Sequence, residues 1–456
     1  MRIACIHVPQ FALQSLCRID PSLRGAAVAV VGAGYEPAVG TRSSPALHSP
    51  IVLACSRAAW ALGVRLGMTA SAARFVSSDV RVVAADGQLE RETVRAIADA
   101  LLGMSSVVDT GGRVAAGGAH LAMYCEVPSK TRGTTFGDRL IELLDTFGLA
   151  ARIGIADDRF TAWVAAAHGG EGTVTARDTS AGREERGVVS VPRGGSAAFL
   201  SPRPLSLLAI TPEVQHMLEA LGVRTLGEFA ALPAPSVSRP LEADYQALAR
   251  GDSGSTLRPY APEAPIREEL VVYTASSLFG GAAAVEALAE RVALRLAGRA
   301  RGASRLEVVV ADAGGERIVP VVTERAVSSA PALVELIAPL IGEAPGVNAR
   351  LRVIVVGEAI AGGKSQPASE VGVAPIDALA AALASAGISK LPHAQRAQLG
   401  DLGALGQPSG ALPWQLSAPQ ALRSERRDAH RRTRRAKQRR RTVTLAQSQL
   451  FGNLGD

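Results

Sequence analysis

Apolar residues fill the first strand-length run, Ile3-Ala4-Cys5-Ile6-His7-Val8, and Pro9 ends it, because proline cannot continue a ladder. Residues 11–78 read as mostly helical and rich in small residues. Val80 to Ala85 reads as a strand. Glu92 to Met104 reads as a helix, with Val94, Ile97, Leu101 and Met104 on one face. Ser106–Asp109 and Ala119–Tyr124 predict two strands, and Leu140, Ile141, Leu144 and Phe147 make the next helix apolar on one side. Thr211 at a cap and Pro212 at the first position open a helix that stops at Gly222. From residue 262 to 358 the pattern is regular. A strand (Glu268–Tyr273) is followed by a helix (Gly281–Gly298) with Val285, Leu288, Val292 and Leu296 at helical spacing. Two strands (Arg305–Ala311, Glu316–Val322) flank a Gly-rich turn, and a helix (Pro331–Ile341) and a strand (Arg350–Val356) close the run. The order βαββαβ is the split βαβ unit. Residues 359–420, rich in Ala, Gly, Pro and Ser, read as a linker with two short helices, near Ile376–Ala386 and Pro392–Leu399.

At 456 residues and 47% hydrophobic content, the chain has length for several domains and apolar side chains for their cores. Its four cysteines, Cys5, Cys17, Cys55 and Cys125, form no CxxC pair, so neither a zinc site nor a disulfide framework is expected, and a reducing cytoplasm fits. No secretion signal or membrane-spanning run is visible. Between Arg423 and Arg441 eleven Lys/Arg face only Glu425 and Asp428, a net charge of +9. The whole chain carries +7, so the basic character belongs to this segment and the remainder is slightly acidic.

The opening layout, a short strand followed by Phe11 to Val30 with Arg24-Gly25, resembles that of Y-family translesion DNA polymerases, whose first strand carries a metal-binding Asp. Counting back from Arg24-Gly25, that Asp falls on His7, and a second position, often acidic in the family, falls on Pro9. Residues 53–68, ending Gly63-Val64-Arg65-Leu66-Gly67-Met68, resemble the family's fingers motif. Its two triphosphate ligands, Tyr and Arg, read Arg57 and Trp60 here. Active relatives also carry an adjacent Asp-Glu pair in the next hairpin. Counted from Ser106–Asp109 the pair falls near Val114-Ala115; counted back from Ala119-His120-Leu121 it falls near Asp109-Thr110. Neither register yields two carboxylates, since Asp109 and Glu126 are the only acids from Ser106 to Glu126. Residues 151–162 resemble the strand-turn-helix before the thumb, with Arg159 where the family has a phosphate-facing Lys.

Leu221-Gly222-Val223-Arg224-Thr225, followed by Leu226–Pro233, resembles a helix-hairpin-helix. That motif offers backbone N–H groups to a DNA phosphate, which makes Gly222, Arg224 and Thr225 candidate contacts. The βαββαβ run resembles the family's little finger, with Arg295, Arg299, Arg301 and Arg305 as candidate phosphate ligands. The basic tail adds Arg431, Arg432, Arg434, Arg435, Arg439, Arg440 and Arg441, a polyanion-binding segment whose affinity depends on salt. Beyond it, Gln447-x-x-Leu450-Phe451 resembles the bacterial sliding-clamp motif, in which Gln bonds at a pocket rim while Leu and Phe fill an apolar cleft.

Taken together, the resemblance is to ImuB-type proteins, Y-family homologues that have lost the active site. It implies a multidomain α/β (α+β) right hand. The parts are a palm (1–10 and 79–168), fingers (11–78), a helix-hairpin-helix thumb (169–255), a little finger (262–358), a linker (359–420) and a basic tail (421–456). It implies a non-catalytic adaptor in damage-induced mutagenesis, in the SOS response, with no metal and no cofactor. Its partners would be primer-template DNA, the sliding clamp, an error-prone C-family DNA polymerase and a RecA-like protein. Two alternatives stay open: an active Y-family polymerase with a rearranged metal site using Asp109, Glu126 or other carboxylates, and a DNA-binding protein without clamp function.

Overall fold

A computed structural model describes residues 1–32, 50–114, 120–169, 187–233, 240–253, 256–262, 264–272, 281–341 and 349–361. The chain opens with β1 (Ile3–Val8), every residue of which is buried, and turns at Pro9-Gln10 into α1 (Phe11–Ile19). Three strands follow: β2 (Val28–Gly32), β3 (Ile51–Cys55) and, after the short helices α2 (Arg57–Ala61) and α3 (Ala70–Val76), β4 (Arg81–Ala84). They form their own sheet in the order β3-β2-β4. Two features differ here from the pattern reading. The described residues of 11–78 are not mostly helical, because Val28–Gly32 and Ile51–Cys55 pair as an antiparallel ladder. Short apolar runs of this length fit a strand or a helix equally by periodicity. The strand at residues 81–84 pairs in parallel with β2 and belongs to this small sheet.

The larger sheet has the order β5-β6-β1-β7-β8. Helix α4 (Gly87–Leu101), capped by Asp86, leads into β5 (Val108–Val114) and β6 (His120–Glu126); α5 (Gly133–Thr146) leads into β7 (Arg152–Ala156). Helix α6 (Arg159–His168), capped by Asp158, is followed by β8 (Gly187–Ser190). Alternation along β1 sends Ala4, Ile6 and Val8 to the face covered by α4 and α5, with Ile97, Leu101, Phe136, Leu140 and Leu144. Ile3 and Cys5 point to the other face, under α6 and the helices after it.

Those are α7 (Ser196–Leu200), α8 (Pro212–Ala220), α9 (Leu226–Ala231) and α10 (Pro240–Ala249). The last body is β9 (Ile266–Val272), α11 (Gly281–Gly298), β10 (Arg301–Asp312), β11 (Gly315–Val327), α12 (Ala330–Ile341) and β12 (Ala349–Ile360), the βαββαβ order read from the sequence. Its sheet runs β11-β10-β12-β9, antiparallel throughout, with Leu288, Val292, Leu296, Leu333 and Ile337 packed on Leu306, Val308, Leu351 and Val353. Each such fully buried aliphatic side chain stabilises the fold by about 1.5–3 kcal/mol.

Buried charges join α11 to α4. The Arg295 guanidinium bonds Asp99 Oδ2 at 2.9 Å, Glu268 Oε1 at 2.9 Å and the Arg267 carbonyl at 2.9 Å, and both carboxylates are fully buried. Arg299 reaches the same Asp99 oxygen at 2.8 Å and Glu358 at 2.5 Å; Arg18 of α1 pairs with Glu268; the Tyr260 hydroxyl donates to Asp99 Oδ1 at 2.9 Å. Gly298 permits the approach, since a Cβ there would lie 1.8 Å from the Asp99 carbonyl oxygen.

Candidate active site and nucleic-acid interface

The row of residues crossing the sheet at His7 reads Gly112, Ala122, His7, Arg152. None carries a carboxylate. His7 shares the face of Ile3 and Cys5 by the two-residue period and is 7% exposed. Its ring stacks on His120 of β6, with centroids 5.4 Å apart and planes 23° apart. The Nδ1 atoms of both rings are buried and have no hydrogen-bond partner. Burial pushes the His7 pKa down to about 3, and His120, Arg152 and His168 push in the same direction. Burial lowers His120 as well, and partial burial followed by Arg203 and Arg152 lowers His168. At neutral pH the cluster is therefore a set of neutral imidazoles beside a guanidinium.

Two rows along, Asp109 lies in line with Tyr124, Cys5 and Gly154. Its carboxylate is buried and fully engaged. Oδ1 accepts from the Gly111 N–H at 2.8 Å, while Oδ2 accepts from Arg159 Nη1 at 3.0 Å and the Arg258 N–H at 2.9 Å. Glu126 pairs across from Ile3, four residues from His7, and its Oε2 accepts from the Ser106 hydroxyl at 3.2 Å. At the rise of an extended strand it sits about 13 Å along β1 from His7. Magnesium takes hard oxygen ligands in near-octahedral geometry. The residues around His7 do not fit a magnesium pair, and among the described residues no group of three or more His, Cys, Asp or Glu is placed to hold a metal ion. Val114 pairs with His120, and Ala115 lies outside the described residues. Pro9 ends β1 with its carbonyl accepting from Gln14 at 2.7 Å.

Arg159, expected at a nucleotide phosphate, is an internal residue. It is fully buried, its guanidinium lies 4.1 Å from the Tyr124 ring centroid, and it pairs with Asp109. The two fingers positions are different. Arg57 and Trp60 are both exposed on α2, which Ser56 caps.

In the α8–α9 hairpin, Gly222 is left-handed (φ +87°) and Thr225 forms a capping box with Glu228. The loop's backbone donors are consumed inside the hairpin. The Gly222 N–H bonds the Glu219 carbonyl at 3.0 Å, and the Arg224 and Thr225 N–H groups bond Glu228 Oε2 at 2.7 and 2.9 Å. Glu228 thus occupies the place expected for an anion, and these N–H bonds hold its carboxyl below the usual range. Gly222 and Thr225 are not free backbone contacts, whereas the Arg224 side chain is exposed.

Arg295 and Arg299, expected at phosphates, are instead the buried charges between α11 and α4. Arg301 and Arg305, on β10, are exposed. Gln447, Leu450 and Phe451 lie outside the described residues. So do Arg431, Arg432, Arg434, Arg435, Arg439, Arg440 and Arg441. The sequence reading passed over His120, Arg152 and Asp99. Asp99 carried a signal, a lone acid among the apolar positions Ala96–Leu101 of an amphipathic helix.

Residues 6–167 match the impB/mucB/samB family. The matched segment contains both the His7 row and the exposed α2. Among solved structures the chain is similar to DinB from Sulfolobus solfataricus, at 14% identity over 79% of this chain and 100% of that one, with a TM-score of 0.42. It is also similar to Dbh DNA polymerase in an insertion ternary complex (14% identity, 78% of this chain, 100% of that one, TM-score 0.43). In a post-insertion binary complex the same polymerase gives 13% identity, 78% and 98% coverage and a TM-score of 0.44. No curated protein matches the sequence. Among the described residues no helix is long and apolar enough to cross a membrane.

Proposed function

We propose that this polymerase-like chain binds primer-template DNA without extending it and acts as a cytoplasmic adaptor in damage-induced mutagenesis. The observation that carries the reading is the row Gly112–Ala122–His7–Arg152, in which a guanidinium and an imidazole stand where nucleotidyl transfer needs carboxylates. Asp109 does not replace them, because both of its oxygens are held by protein donors.

Recruitment is assigned to the end of the chain. Gln447, Leu450 and Phe451 would engage the sliding clamp, and the basic segment 423–441 would add salt-dependent attraction to DNA. The adaptor would bring to the clamp an error-prone C-family polymerase and a RecA-like protein. Primer extension by the purified protein, with Mg²⁺ and then Mn²⁺, tests the first half alongside binding to the same substrate. Binding without incorporation is the expected result; incorporation that survives stringent purification overturns it. A Leu450→Ala, Phe451→Ala double variant tests the second half. It should lose clamp binding and keep DNA binding, and unchanged clamp affinity would leave a DNA-binding protein without clamp function.

A further inference from the structure

The polypeptide from residue 50 to residue 78 carries Arg57, Arg65 and Arg74 and no Asp or Glu. All three arginines are exposed. The same stretch exposes Trp60 (48%) and Phe75 (93%), so aromatic surface and positive charge are interleaved on one small body. At Trp60 this arrangement is built. Helix α2 ends after Ala61, and Gly63 adopts φ +106°, a conformation glycine takes without strain. The chain turns back there, Val64 is buried in the small core, and its N–H bonds the Ala59 carbonyl at 3.0 Å. Arg65 is thereby brought over the indole, with Cζ 4.2 Å from the ring centroid. Its Nη1 is held by the Trp60 and Val64 carbonyls at 2.7 and 2.9 Å.

One face of the indole is therefore covered by a fixed guanidinium, and Trp60 still stays 48% exposed. A core tryptophan would be covered on both faces, and a purely electrostatic surface would not hold a ring in this way. We infer that Trp60, backed by Arg65, is a stacking platform for an unpaired nucleobase of single-stranded nucleic acid, with Arg57 and Arg74 as phosphate partners. Base–aromatic stacking tolerates any base and needs a neighbouring positive groove to track the backbone. The absence of acidic residues from 50 to 78 argues for a polyanionic occupant over a protein surface.

The inference rests on the DNA-binding part of the proposed function and is independent of clamp recruitment. The full chain is titrated with labelled oligothymidine and with an abasic strand of the same length, which has the same phosphates and no bases. Trp60→Ala should weaken oligothymidine binding by about 5- to 100-fold and leave the abasic strand unchanged. Trp60→Phe, which keeps a ring and the fold, should restore most of the affinity. Oligothymidine should also quench the part of the tryptophan emission that Trp60→Phe removes. Equal oligothymidine affinity of wild type and Trp60→Ala, or an equal loss on both strands, overturns the platform. Failure of the wild-type protein to bind either strand also overturns the platform, and failure to bind a primed template as well overturns the DNA-binding reading itself.

Discussion

Arg295 Nε donates to Asp99 Oδ2 at 2.9 Å across 196 residues of sequence, with both side chains fully buried. The pair fixes the βαββαβ body to the helix behind the central sheet, and it removes Arg295 from any DNA surface. Burying a guanidinium is tolerated here because Glu268 and the Arg267 carbonyl take the Nη1 donors and Nη2 lies 2.8 Å from Asp99 Oδ2. Replacing Arg295 by Met should cost about 3–5 kcal/mol, because Glu268 and Asp99 are left with fewer partners in a dry site. Arg295→Lys should not rescue it, since a single ammonium cannot serve three acceptors in fork geometry. The urea midpoint of the full chain measures both; a midpoint unchanged in Arg295→Met would mean the charges are screened by water.

The histidine cluster makes stability depend on pH. A folded-state pKa near 3 against an ordinary value of 6.5 means that the unfolded chain binds a proton first as pH falls. Stability is therefore complete above 6.5 and is lost progressively down to about 3. The groups facing His7 are His120 from β6, Arg152 from β7 and His168 from α6, all of which oppose its protonation. Replacing His7 by Leu removes its share, so the melting temperature of His7→Leu should fall less between about pH 7 and about pH 5 than that of the wild type. Parallel pH profiles of the two proteins would show that His7 does not titrate differently on folding.

How far these arrangements could be read from sequence depends on the kind of signal. The βαββαβ order was legible because its first helix carries Val285, Leu288, Val292 and Leu296 at helical spacing and two of its strands are separated by a Gly-rich turn. The buried strand around His7 was legible because it is short, apolar and bounded by Pro9. The ladder between residues 28–32 and 51–55 was not, because five apolar residues carry no period that separates strand from helix. Arg295 and Arg299 were misread as phosphate ligands because a basic residue near a helix end looks the same whether its partner is DNA or a buried acid. Glu268 held the clue, as a charge at an inward position between Ile266 and Leu270 of a buried strand. The consumed donors of the α8–α9 hairpin were also hidden, although Thr225-x-x-Glu228 spells a capping box.

That capping box separates two roles in the hairpin. Thr225→Ala removes the bond that the Glu228 N–H donates to Thr225 Oγ1, 3.2 Å long, and should lower stability by about 1 kcal/mol. It should leave the salt dependence of DNA binding unchanged. Arg224→Ala should do the reverse, reducing the salt slope by about one while leaving the denaturation midpoint in place. Titrations across a salt series, read with thermal melts, distinguish them. A salt slope that drops in Thr225→Ala would mean that the capped hairpin itself holds a phosphate contact that the cap supports.

Placing a carboxylate on the first strand tests whether His7 alone accounts for the proposed lack of extension. His7→Asp would place a carboxylate opposite Ala122 and Arg152 and against the His120 ring. The nearest described guanidinium would claim it as an ion-pair partner, as Arg159 already claims Asp109. A two-metal mechanism also needs further oxygens on the neighbouring hairpin, where the same row offers Gly112 and Ala122. The expected outcome is no primer extension by His7→Asp in Mg²⁺ or Mn²⁺, with DNA affinity near that of the wild type. Measurable extension would show that the remaining ligands are present elsewhere in the chain, and that the site was silenced at β1 alone.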